Sequence, residues 1–148
     1  MKRLFLLCLC LVLTAQGALA RDLTVRPSKF SVTETIDRLT AALKEKGIVP
    51  AARIDHAAAA KLAGLELKPT QVLLFGNPKL GTPLMKSDRH IAIDLPMRVL
   101  AWEDDQGKVR VGYVSSQTLQ SRYKVSDQIE PLQALSRALD AFVKAATE

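Results

Sequence analysis

The segment "LLFGNPKLGTPLMKSDRHIAIDLPMRVLAWEDDQGK", residues 73–108, decides how the rest of the chain is read. Its opening apolar run reads as the end of a buried strand. Gly76 is free to take a positive φ where that strand stops, and Pro78 holds Asn77 extended. Thr82 then stands as a helix cap with Pro83 at the first helical position, where the missing N–H costs nothing. Leu84, Ile91 and Leu95 fall on one helix face. Pro96 biases Leu95 away from helical geometry, so the helix is expected to end near Asp94. "MRVLAW" and "KVRVGYV" are two strands joined by "EDDQG", with Gly107 available for the turn. A hairpin at this point excludes a purely parallel, doubly wound sheet.

Working outward from it, "TQVLLFG" is a β-branched, buried strand. Before it, Asp55 caps the short Ala-rich helix of "DHAAAAKLAG", which Gly64 stops. "IVPAARID" is a strand that Pro50 pushes to a sheet edge. "TETIDRLTAALKEKG" is an amphipathic helix with Thr33 as N-cap, Gly47 as stop, and Ile36, Leu39 and Leu43 facing a core. Lys29 to Val32 reads as the first strand. Beyond the hairpin, Ser115 and Ser116 end a strand and cap a short helix. "EPLQALSRALDAFVKAAT" closes the chain as a helix with Leu132, Leu135, Leu139, Phe142 and Val143 on its apolar side. The expected fold is α+β: an antiparallel or mixed sheet of about five strands with two long helices on one face.

Residues 1–20 have the layout of a secretory signal peptide: basic "MKR", an apolar run of ten residues, then Ala18-Leu19-Ala20. The run is about half the ~20 residues of a spanning helix, so no stable membrane span is expected after cleavage. The expectation is a single domain over 21–148 in the bacterial periplasm. Both cysteines, Cys8 and Cys10, lie in the leader, leaving no disulfide, thiolate nucleophile or Cys-based metal site downstream. Net charge is +6 and falls to +4 without Lys2 and Arg3. The remaining basic residues are scattered among acids, the pattern of a solvated surface and not of a nucleic-acid stripe.

The motifs Phe75-Gly76-Asn77-Pro78, Gly81-Thr82-Pro83-Leu84-Met85, Asp94-Leu95-Pro96, Trp102-Glu103 and Tyr113 resemble the core pattern of the bacterial family called domain of unknown function 302. The resemblance covers about residues 30–125. It implies an α+β fold similar to the TATA-binding-protein-like architecture, and it implies no activity. Sharing a fold class with a DNA binder says nothing of DNA.

Candidate ligand-binding residues are Phe75, Asn77, Pro78, Met85, Asp94, Trp102 and Tyr113. Asn77 can present its amide to a ligand or satisfy the turn's own backbone, the common role of Asn. Asp94 sits at the unfavourable end of a helix dipole and needs a partner; the N–H groups of the neighbouring turns would serve. Trp102 and Tyr113, on adjacent strands, can share a side as core packing or as a ligand wall. His90 and Asp94 are four apart and can share a helix face. With only His56 and His90 present and no HExxH, no metal site is expected; without CxxCH, His90 with Met85 or Met97 makes a poor haem case, and no cofactor is implied. No GxSxG elbow, nor any set of nucleophile, base and oxyanion donor, stands out, so no catalytic residues are assigned. The leading reading is a non-enzymatic domain binding an apolar or weakly polar small molecule over a sheet face and these turns. The alternatives are a homodimeric interaction module and an enzyme using Asp94, His90 or Asn77, which requires those three to converge on one cavity.

Overall fold

The computed structural model describes residues 23–148; the leader-like segment 1–20 lies outside them. Five strands form one antiparallel sheet: β1 (Leu23–Pro27), β2 (Ala52–Asp55), β3 (Thr70–Phe75), β4 (Met97–Glu103) and β5 (Val109–Val114), in the order β1-β5-β4-β3-β2. The helices are α1 (Val32–Glu45), α2 (His56–Leu62), α3 (Pro78–Ser87), α4 (Ser116–Arg122) and α5 (Ile129–Thr147), with a 3-10 turn at Arg89–Ile93. The α+β class and the one-sided packing of α1 and α5 agree with the sequence pattern.

The core lies between the sheet and those two helices. Ile36, Leu39 and Leu43 of α1 are fully buried, as their spacing requires. Leu135, Leu139, Phe142 and Val143 bring α5 onto the same layer, and Phe142 meets Phe75 edge-on with ring centroids 6.1 Å apart. From the sheet, the alternate residues Leu73 and Phe75, Met97, Val99 and Ala101, and Val111 and Tyr113 point inward. Gly47 ends α1 and Gly107 turns the β4–β5 hairpin; both take positive φ, near 70°, where a side chain would be strained.

Several expected boundaries move. The first strand is Leu23–Pro27, paired with β5, and not Lys29–Val32. Ser31, not Thr33, caps α1: its hydroxyl accepts from the Glu34 N–H, and Val32 already belongs to the helix. The helix expected from Thr82 begins at Pro78, because Asn77 supplies the cap and Pro78 the first position; Pro83 lies inside. It stops at Ser87, where Asp88 turns extended and restarts the chain as the 3-10 turn. Pro50 precedes the short β2, which is indeed an edge strand.

Candidate functional site

α3 crosses one end of the sheet and leaves a cavity of about 400 Å³ beneath it. Phe75, Gly76 and Met97 form the sheet side, Leu80, Gly81 and Met85 the α3 side. Leu135, Ala138, Leu139 and Phe142 of α5 make the floor, and Ile48, Val49 and Ala51 from the loop after α1 close one flank. Among the lining side chains only Asn77 and Thr82 carry hydrogen-bonding groups; the rest are apolar or glycine. Volume and lining are those of a small-molecule site with few orienting groups.

The local sequence explains the opening. Asn77 Oδ1 accepts from the Lys79 N–H at 2.9 Å, which fixes the start of α3 directly after β3. Gly76 does not take positive φ; its lack of a side chain lets Pro96 approach, since a Cβ would stand 3.4 Å from the Pro96 Cβ. Gly81 turns a bare backbone toward Leu95 and Met85, with 3.6 Å between a would-be Cβ and the nearer atom, Leu95 Cδ1. The two glycines bring α3 and the Leu95–Met97 segment close while leaving free volume between them.

The sequence-derived candidates divide. Phe75, Asn77, Pro78 and Met85 line the cavity. Asp94, Trp102 and Tyr113 do not. Asp94 looks toward α4, and its side chain is only 10% exposed. Oδ1 accepts from Arg98, and Oδ2 accepts from Arg122 Nη1 at 2.9 Å and from the Tyr123 hydroxyl at 2.7 Å. The partners are thus side chains, not the turn N–H groups expected for it. Burial pushes its pKa up, but the bonds from Tyr123 and Arg122 and the two guanidinium charges outweigh burial and hold the carboxyl below its ordinary range. The same contact pushes the Tyr123 phenol up.

Asp88 does matching work at the other end of the 3-10 turn. It accepts from the His90 N–H, from His90 Nδ1 and from the Lys124 N–H. These bonds, the Lys124 one foremost, lower its pKa. Two aspartates therefore pin the 3-10 turn to residues 122–124. The only trace in the sequence was the pair of acids flanking "RHIAI".

Trp102 and Tyr113 do not share a side. Val99 pairs with Tyr113 and Trp102 with Arg110, so the alternation of side chains sends Tyr113 inward and Trp102 outward. Tyr113 donates to Asp140 on α5 at 2.9 Å. Trp102 lies over Gly112, where a Cβ would stand 3.0 Å from its ring. His90 is 91% exposed and pairs with Asp88 instead of sharing a helix face with Asp94. Asp94, His90 and Asn77 point to three different places, so the convergence required by the enzymatic reading is missing. Among the described residues, no three His, Cys, Asp or Glu side chains are placed to hold a metal ion, and no helix is long and apolar enough to cross a membrane.

The residues missed from sequence are Ile48, Val49, Leu80, Leu95, Ala138 and their neighbours, drawn from four separate segments. Leu135, Leu139 and Phe142 were legible as apolar helix positions, but as core and not as the floor of a cavity.

The family model described as Domain of unknown function DUF302 matches residues 24–142. A crystal structure of an uncharacterised conserved protein, DUF302, from Bacillus stearothermophilus superposes with a TM-score of 0.63 at 18% identity, covering 86% of this chain and 96% of that one; this is a likeness of fold. Over 82 residues the chain is 54% identical to "Fluoride-specific ion channel FluC 1" of Brucella suis biovar 1 (strain 1330) and to the protein of the same name in Brucella abortus biovar 1 (strain 9-941). That match takes in 55% of this chain but only 32% and 30% of those two relatives.

Proposed function

The chain belongs to the DUF302 family, and from that premise we propose that it is an exported, non-enzymatic domain that binds an apolar small molecule beneath α3. The observation that carries this reading is the cavity of about 400 Å³ whose lining offers hydrogen bonds from two side chains only, Asn77 and Thr82. Its size lies in the ~300–1,000 Å³ range of small-molecule sites. The ligand expected is one whose surface is mostly hydrocarbon or aromatic, with a single polar end near Asn77 and Thr82. Native mass spectrometry of the purified protein, with a panel of fatty acids, isoprenoids and aromatic metabolites, tests this. One class should bind and raise the melting temperature, and Ala138→Phe, which fills the floor, should abolish binding while the fold persists. A panel without a single binder, or binding untouched by Ala138→Phe, removes the reading.

A second reading rests on the Brucella relatives. A segment 54% identical to this chain forms part of polypeptides named as fluoride-specific ion channels. Their remaining two thirds or so has no counterpart in the match, and ion conduction is not carried by any described helix here. The domain would then work beside a fluoride channel in the membrane, as a neighbour of the pore. Pull-down of a fluoride channel from the same genome, together with fluoride tolerance of cells lacking this chain, tests it. Neither association nor altered tolerance would leave the apolar-ligand reading alone.

A further inference from the structure

We propose that the sheet face turned away from the helices is a self-association surface, and that a second copy of this chain covers it. The pairing register defines the face. Leu23 and Val25 of β1 pair with Val114 and Gly112 of β5, Leu100 of β4 pairs with Gly112, and Val72 and Leu74 of β3 pair with Leu100 and Arg98. Ala52 and Ile54 of β2 pair with Leu74 and Val72. Directly paired residues share a side, so these positions and Trp102 make one nearly continuous apolar surface across all five strands. Its rim is openly exposed: Leu23 at 36%, Val25 at 41% and Ile54 at 42%. A water-facing sheet side is ordinarily polar at such positions.

Three observations favour a second copy over another occupant. The first is charge. The face carries Arg98 and Arg110, and each is already paired, with Asp94 and Asp104 respectively. A two-fold contact sets each charge against its own kind, which a face with compensated charges tolerates; it offers little to an anionic membrane or an acidic partner. The second is size. Five strands at ~4.8 Å spacing, each about five or six residues long, present on the order of 700 Å² of accessible surface per copy once side-chain relief is included. A standard interface needs about 800 Å² per partner. The third is that the sheet edges are poor alternatives. β2 has four residues and follows Pro50, while β1 ends in Pro27 and carries Arg26, features that blunt strand addition. The cavity beneath α3 lies on the opposite side of the sheet, so this inference stands or falls independently of the ligand.

The test uses the full purified chain. Sedimentation velocity should show a concentration-dependent dimer, and fluorescence of Trp102, the single tryptophan, should shift to the blue as the dimer forms. Leu74→Lys should give a monomer with an unchanged far-ultraviolet spectrum. With Cys8 and Cys10 replaced by Ser, Leu100→Cys at the centre of the face should cross-link under mild oxidation, and Gln133→Cys on the exposed side of α5 should not. A wild-type monomer at every concentration overturns the proposal, as does a dimer that survives Leu74→Lys or cross-links through Gln133→Cys alone. Flotation of a monomer with lipid vesicles would also overturn it, by giving the face to a membrane.

Discussion

Replacing Asp94 by Asn tests whether this motif residue is a structural clamp. The substitution keeps the shape of the side chain and one acceptor oxygen. It removes the negative charge facing Arg98, Arg122 and the Tyr123 hydroxyl. Hydrogen bonds to charged groups contribute about 1.5–3 kcal/mol each when well shielded. Here the side chains of Arg98 and Arg122 are 47% and 33% exposed, so once released they rehydrate. Their share therefore falls toward the ~0–1 kcal/mol of exposed pairs. Tyr123 and the desolvated carboxylate keep most of theirs. The expected loss is about 2 kcal/mol at neutral pH, short of the ~3–5 kcal/mol for breaking a fully buried pair. Urea unfolding followed by circular dichroism measures it. The pH dependence has a definite sign. The folded-state pKa lies below the ordinary value of 3.8, so the wild-type advantage is complete above that value and is lost as pH falls through the lower folded-state pKa. Wild type and variant should converge in acid, and binding of an apolar probe beneath α3 should be equal in both. A loss below about 0.5 kcal/mol at neutral pH, or a difference that persists in strong acid, would refute the clamp.

Asn77→Ala should cost about 1 kcal/mol through loss of the α3 cap, with Asn77→Asp restoring it; equal stability of all three proteins in thermal unfolding would mean that the residue does not act as the cap. Gly81→Ala should stabilise by roughly 0.5–1 kcal/mol, because the new methyl meets only ordinary contacts in a helix. The same methyl intrudes on the cavity, so probe affinity should fall as the melting temperature rises; calorimetry reads both, and a gain in affinity would contradict the assigned geometry. Gly112→Ala should displace the Trp102 ring, since its Cβ would stand 3.0 Å away. The cost should be about 1 kcal/mol because the ring is partly exposed and can give way, and an unchanged tryptophan emission maximum would contradict the packing.

Legibility of the site followed distance along the chain. The turn after β3 was readable as a site of punctuation, and Phe75, Asn77, Pro78 and Met85 do line the cavity. The placing of the helix start was wrong by four residues because two Pro-led candidates, Asn77-Pro78 and Thr82-Pro83, carry the same chemistry. Pro83 is tolerated inside α3 because position six of a ten-residue helix still lies near its start. Asp94 was visible as needing a partner, but the partner came from residues 122–123, nearly thirty positions on.

By itself the sequence determined the elements and the buried stripes, because periodicity, caps and turn residues act over four or five positions. It determined the single-sided core, since α1 and α5 each carry one apolar face. Tertiary structure alone decided which strands neighbour one another, that Trp102 and Tyr113 part to opposite faces, and that α3 stands off the sheet far enough to leave a cavity. Those outcomes depend on register and on the packing distance between distant segments, which a one-residue slip or one absent Cβ changes without altering any local pattern.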